Sequence, residues 1–184
     1  MVAAGRRSFV IMTTDDQLIL EFQQGSREAF RELFERYREP LYGFFRRRLD
    51  NPARAEELSQ DCFLALLRNA ARYEPRASFR SYLYGIAINL VFAERRKAGR
   101  EVARDEKTAD SPAHENTDAA LWVQRALERL EGNDREILML REYEQLSYAE
   151  IGGLLRLPIN TVRSRLFRAR MALKEQLVPV KGSN

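Results

Sequence analysis

Apolar residues return every third or fourth position through most of this chain, and nowhere do they settle into sustained two-residue alternation between turn signals. That period constrains the fold more than any other feature, because it lines apolar side chains along one stripe of an α-helix and gives a half-buried strand nothing to present. Ala29, Phe30, Leu33, Phe34 and Tyr37 form one such stripe behind Ser26, a capping residue. Ahead of it, Thr14-Asp15-Asp16-Gln17 has the capping-box spacing, and Gly25 stands where that first helix would end. Pro40 is expected to kink or restart the second helix before Leu41, Phe44, Phe45 and Leu49. Asn51-Pro52 punctuates, and a third helix follows from about Ala53 to Ala71 with Leu58, Cys62, Ala65 and Leu66 inward. A loop around Pro75 runs from Tyr73 to Ser78, and a fourth helix spans Phe79 to Lys97.

From Ala98 to Ala120 the character changes. Arg100, Arg104 and Lys107 face Glu101, Asp105, Glu106, Asp110, Glu115 and Asp118, so three positive charges against six negative leave −3. Ser111-Pro112 and Asn116-Thr117 interrupt any helix, and no apolar stripe is available to bury, which is the pattern of a flexible acidic linker. Helical spacing resumes over Leu121–Leu130 and Asp134–Tyr143. The expected fold is therefore all-α, with two small helical domains joined by that linker: a disordered start at 1–13, a domain at 14–97, the linker at 98–119, a second domain at 120–176 and a tail at 177–184. A length of 184 residues accommodates two such domains, and 45% hydrophobic with 32% charged residues fits a globular helical chain.

The same residues exclude several functions. One cysteine, Cys62, forms no internal disulfide, and with one histidine, His114, no Cys/His zinc site can be assembled. Both facts suit a reducing cytoplasm. The segment Gly5-Arg6-Arg7-Ser8 superficially has the look of an export signal, but the apolar run Phe9–Met12 meets Thr13, Thr14, Asp15 and Asp16 well short of the roughly 7–15 residues required. No stretch reaches the roughly 20 apolar residues of a membrane span. There is no phosphate-cradling glycine loop and no Ser/His/Asp set, so neither a catalytic residue nor a cofactor is expected. Glu56, Glu57 and Asp61 read as helix-surface carboxylates.

The segment Leu146–Leu173 carries the chemistry. Arg156, Arg163, Arg165, Arg168, Arg170 and the following Lys174 are six cations with no acid among them after Glu150. Six like charges on and just before one short helix repel one another instead of forming i,i+4 pairs, whereas a merely solvated face usually mixes signs. Turning 100° per residue, Val162, Leu166, Ala169 and Leu173 fall on one buried stripe, while Asn160, Ser164, Phe167, Arg168 and Met171 point the other way. Tyr148, Ile151, Leu154 and Leu155 form the stripe of a shorter preceding helix, and Pro158 can open the second. This is the layout of a helix-turn-helix, whose second helix enters the DNA major groove; arginine grips guanine edges bidentately and flanking cations pair with phosphates. The net charge of +4 agrees with a polyanionic partner.

Ser147–Leu173 resembles region 4.2 of the extracytoplasmic-function (ECF) sigma factors of the sigma-70 superfamily. Ala55–Asn69 is similar to their region 2.2, and Phe79–Lys97 to their regions 2.3 and 2.4. Together with Gly25–Tyr42, the resemblance covers all but the start, the linker and the tail. It implies a non-enzymatic factor that directs bacterial RNA polymerase to specific promoters and helps open them. Domain one would read the −10 element through Tyr73, Arg76, Ser78, Phe79, Asn89, Arg95, Arg96 and Lys97. Domain two would read the −35 element through Asn160, Thr161, Arg163, Ser164, Arg165, Arg168 and Arg170, with Arg168 facing bases and Arg165 facing phosphate. Glu57, Gln60, Asp61 and Leu64 would meet the β′ clamp helices of the polymerase core, and the Leu127–Leu140 surface its β flap. An anti-sigma factor is a further partner the resemblance admits; membrane insertion is not. Tyr82 stands where the family usually has Trp. Arg156 replaces a frequent Gly in the turn, where left-handed backbone costs roughly 1 kcal/mol or more. Asn160 replaces another. The alternative is a stand-alone helix-turn-helix transcriptional regulator.

Overall fold

The structure, a computed structural model, describes residues 13–102, 123, 125–127 and 129–177. The expected disordered start, most of the linker and nearly all of the tail lie outside the described residues. Among the described residues all regular structure is helical: α1 Asp15–Gln23, α2 Arg27–Arg46, α3 Pro52–Asn69, a 3₁₀ turn Ala70–Arg72, α4 Phe79–Val102, α5 Gly132–Glu142, α6 Tyr148–Leu155 and α7 Ile159–Leu177.

The local signals hold where they are strongest. Thr14 and Gln17 close the capping box, with Gln17 N–H donating to Thr14 Oγ1 at 3.2 Å and Thr14 N–H to Gln17 Oε1 at 3.0 Å. Gly25, at φ +101°, lets the chain reverse, and Ser26 then caps α2 by accepting from Ala29 N–H at 3.2 Å. Asn51 caps α3 with Pro52 at its first position.

Three expectations change. Pro40 lies inside α2 and neither ends nor restarts it. The turns on both sides are anchored by Leu33, Tyr37, Leu41, Phe44 and Phe45, all buried, so packing outweighs the lost hydrogen bond. Phe34 is not inward but 37% exposed, leaning on Phe63 with ring centroids 4.7 Å apart. α4 runs to Val102, five residues past Lys97, because Ala98-Gly99-Arg100 carries no breaker strong enough to stop it.

Domain one packs α1, α2 and α3 around α4 through a fully buried set that includes Ile19, Leu33, Leu66, Phe79 and Leu83. Domain two packs α5, α6 and α7 around Ile137, Leu140, Leu146, Ile151 and Val162. The sequence suggested two independent bodies. In the structure they touch, with α4 against α6 and the end of α2 against α5.

Candidate nucleic-acid interface

The helix-turn-helix is built by two local devices. Ser147 accepts from Glu150 N–H at 3.2 Å while Glu150 Oε2 accepts from Ser147 N–H at 2.8 Å, a capping box that starts α6. Its end is set at Arg156, at φ 55° and ψ 45°, in the left-handed conformation expected for a position that so often carries glycine. Leu157 N–H then returns to the Gly152 carbonyl at 2.9 Å. A Cβ on Gly152 would sit 2.8 Å from the Leu157 carbonyl oxygen, so that glycine is required by close approach.

α7 buries Val162, Leu166 and Ala169. On its opposite face Asn160, Arg163, Ser164 and Arg168 are exposed, together with Phe167 at 66% and Met171 at 42%. Thr161 is half-buried. Up to Lys174 the helix carries no acid of its own, and α5 supplies them. Arg170 donates twice to Glu142 Oε1, at 3.0 and 2.6 Å, and that hydrogen bond holds its guanidinium pKa above the ordinary value. Arg165 and Arg168 approach Asp134 at 3.7 and 3.9 Å. Arg168 nevertheless keeps a side chain 64% exposed, whereas Arg165 keeps only 26% and is less free than its place at the helix flank suggested.

The loop between the 3₁₀ turn and α4 is pinned from α1. Gln23 Nε2 donates to the Ala70 and Tyr73 carbonyls at 2.7 and 2.9 Å. Asp16 Oδ1 accepts from Phe79 N–H at 2.6 Å and from the Tyr73 hydroxyl at 3.2 Å. Burial, aided by Asp16, pushes the Tyr73 phenol up to about 12, so it stays a neutral donor. Tyr73 packs edge-on against Tyr82 at 5.0 Å. Phe79 is wholly buried between Tyr37 and Tyr73, which makes it a support for the loop and removes it from the surface. Tyr73, Arg76, Ser78, Tyr82 and Asn89 line a cavity of about 910 Å³ whose far wall is Ala149, Glu150, Gly153 and Leu154 of α6. Arg76 is ion-paired to Glu74 at 2.6 Å. Arg95, Arg96 and Lys97 are exposed near the end of α4, with Arg95 3.5 Å from Glu136.

On α3, Glu57, Gln60, Asp61 and Leu64 share an exposed face, as the spacing implied. Leu67, 42% exposed beside Leu64 at 45%, extends it into an apolar strip that the sequence reading missed. Arg54 clamps this helix to α4, donating to both Glu94 oxygens at 2.7 and 2.8 Å. The Leu127–Leu140 surface is less available than expected, since Leu127, Leu138 and Leu140 are buried. An open apolar concavity lies instead between Leu138, Leu173 and Leu177, rimmed by Glu142, Arg170 and Lys174.

Among the described residues no three His, Cys, Asp or Glu side chains are grouped to hold a metal, and no helix is long and apolar enough to cross a membrane. Cys62 is buried, and desolvation pushes its thiol up to about 12. His114 lies outside the described residues.

Two family profiles match the chain: Sigma-70 region 2 over residues 33–101 and Sigma-70, region 4 over residues 120–173. Among curated proteins, the RNA polymerase sigma-H factor of Pseudomonas aeruginosa is 31% identical, with 90% of this chain and 95% of that protein covered. The RNA polymerase sigma factor CarQ of Myxococcus xanthus is 33% identical over 85% of this chain and 93% of its own. Of solved structures, the sigma factor RpoE in complex with the anti-sigma factor NepR from Bartonella quintana superposes with a TM-score of 0.70 at 25% identity, covering 84% of this chain and 99% of that one. CnrH in complex with the cytosolic domain of CnrY gives 0.67 at 25% identity, covering 89% and 96%.

Proposed function

The chain belongs to the sigma-70 family, in its extracytoplasmic-function branch, and on that footing we propose that its two domains read the two halves of a promoter. As a member it is a non-enzymatic initiation factor that directs RNA polymerase. The finer assignment is ours: residues 14–97 engage the polymerase core and the −10 element, 98–119 link, and 120–176 read the −35 element.

The observation that carries this reading is the outer face of α7. Asn160, Arg163, Ser164, Phe167 and Arg168 lie together and exposed, while the acids of α5 engage Arg165 and Arg170 at the flanks and Asp134 approaches Arg168 at 3.9 Å. Asn160, Ser164 and Arg168 are assigned to base edges, with Thr161 beside them and Arg163 able to serve either bases or phosphate. Arg165 and Arg170, held at the flanks, are assigned to phosphates. In domain one, Tyr73, Arg76, Ser78 and Asn89 border a cavity of a kind that can hold an unstacked base, with Phe79 buried behind Tyr73 as a support, and Arg95, Arg96 and Lys97 grip backbone. The acidic and apolar strip Glu57, Gln60, Asp61, Leu64 fits the clamp helices, and the concavity at Leu138, Leu173 and Leu177 replaces the Leu127–Leu140 surface as the seat of the β flap. One superposing structure holds its sigma factor with an anti-sigma factor, which supports such a partner here, and we assign the work to the cytoplasm.

The test is run-off transcription by core polymerase with and without this protein on a genomic promoter library, with start sites mapped. Start sites that appear only with the protein and share −35 and −10 sequences are expected. Sequence-specific, tight binding by the free protein with no effect on core polymerase would make it a stand-alone regulator.

A further inference from the structure

We infer that a buried ionic latch holds the two domains shut on one another, and that the closed form hides the loop assigned above to the −10 element. The masking half of this inference rests on that assignment; the latch does not.

The latch lies at the end of α2. The Arg48 side chain is 0% exposed; its Nε donates to Glu136 Oε1 at 2.8 Å and its Nη1 to Glu144 Oε1 at 3.4 Å. Its guanidinium lies 3.6 Å above the Phe44 ring centroid. Arg47 Nη2 donates to the same Glu144 oxygen at 2.9 Å and lies over the Tyr143 ring. Glu136 and Glu144 are 5% and 2% exposed, and it is domain one that supplies the cations facing them. Burying charges costs several kcal/mol per ion, and the attraction between partners roughly repays it. Such an interface therefore fixes one register without making opening prohibitive, since every charge returns to water when the domains part.

A second set of contacts shows what the closure covers. Ser78 Oγ donates to Glu150 Oε1 at 2.5 Å, Arg95 sits 3.5 Å from Glu136, and a Cβ at Gly85 would meet Leu154 Cδ2 at 3.1 Å. Two −10 candidates are thus engaged by domain two, and α6 forms the far wall of the cavity that the others line. α6 is joined to α7 by the tight turn at Arg156 and Leu157, so the two helices move as one body. The two promoter elements are named for positions about 25 base pairs apart, about 85 Å of B-form duplex. A chain with α6 against the −10 loop cannot place α7 at the −35 element while that loop reads −10. The closed form is an off state, and opening must precede promoter reading.

Two readouts on the full chain test this. Spin labels on Arg31→Cys and Glu175→Cys, both exposed positions, report the distance between domains, and buried Cys62 does not compete for the reagent. A single short distance is expected, and Glu136→Gln with Glu144→Gln should replace it by a broad, longer population. Affinity of the free chain for a single-stranded −10 oligonucleotide should rise about tenfold with it. Because those substitutions leave Arg48 buried opposite neutral groups and are able to impair folding, the converse variant is needed. Gly85→Cys with Leu154→Cys, joined as a disulfide, should lower core-dependent initiation about tenfold or more, and reduction of that disulfide should restore it. Unchanged distances in the Gln variant, or full initiation by the bridged chain, overturn the latch or its inhibitory role. Longer distances with no gain in oligonucleotide binding overturn the masking and place the fault in the −10 assignment, leaving the latch standing.

Discussion

At the scale of single residues, the backbone of Arg156 states a cost that a side-chain change can remove. A non-glycine residue held at φ 55° loses roughly 1 kcal/mol relative to glycine, so Arg156→Gly should raise the stability of domain two by about that amount, read as a higher midpoint in thermal or urea unfolding. Gly152 argues the reverse: with the Leu157 carbonyl oxygen 2.8 Å from any added Cβ, Gly152→Ala must push the turn apart and lower the same midpoint. The arginines of α7 separate by their surroundings. Arg168, 64% exposed on the outer face, should cost about 1–3 kcal/mol at the native −35 element when changed to Ala, and flatten discrimination among base variants. Arg165→Ala should weaken all sequences alike and make the salt dependence shallower by about one phosphate contact, because this side chain lies at the flank beside Asp134. Holoenzyme binding to a panel of single-base −35 variants at two salt concentrations measures both. Equal, sequence-independent losses would show that this face does not read bases.

Among the elements, the clamp between α3 and α4 carries a pH signature. Hydrogen bonds from Arg54 hold the Glu94 carboxyl below its ordinary 4.5, despite partial burial. A depressed carboxyl contributes stability that is full above its unfolded pKa and is lost as pH falls through the lower, folded value. The gap in unfolding midpoint between wild type and Glu94→Gln should therefore be widest near neutrality and close as pH falls below the ordinary carboxyl range. A gap that stays constant over that range would mean the Arg54 pair contributes nothing. Elements such as these were largely legible from the chain. The stripe of Val162, Leu166 and Ala169, the caps at Thr14 and Ser26, and the exposed Glu57–Leu64 face all follow from spacing of three or four residues, which is local information. Of the two outcomes expected at Pro40, a kink or a restart, the restart does not occur, because tertiary packing on Leu41, Phe44 and Phe45 carries α2 through it. The pinning of the 73–78 loop by Asp16 and Gln23 was invisible for a different reason. Those partners are separated by 47 to 63 positions, and nothing in a helical stripe announces what a polar residue on its edge will meet.

In the whole molecule, charge is distributed so that each domain answers the other. Arg47 and Arg48 sit in a run of three arginines that reads as a basic surface, and Glu136 and Glu144 read as ordinary acids on a helix and in a turn; only the fold joins residues 88 to 97 positions apart. That pairing changes what is expected of the separated halves. Each half keeps its own core, Leu33, Phe44, Leu66 and Leu83 in one and Ile137, Leu140, Ile151 and Val162 in the other, so cleavage within 103–119 should leave two soluble helical fragments. Separation also frees Arg48, Glu136 and Glu144 into water together, so neither half retains a buried charge without its partner. When the two fragments are mixed they should re-associate, though weakly, because the linker no longer supplies an effective concentration in the millimolar range. Glu144→Arg, which places a third cation beside Arg47 and Arg48, should abolish that association while leaving the domain-two fragment folded, since Glu144 faces domain one. Sedimentation or calorimetric titration of the fragments, with circular dichroism of each, decides the matter. Undiminished association of the Glu144→Arg fragment would show that apolar contacts such as Leu154 on Gly85 hold the domains together without the ion pairs, and failure of the wild-type fragments to associate at any accessible concentration would show that only the linker keeps them close.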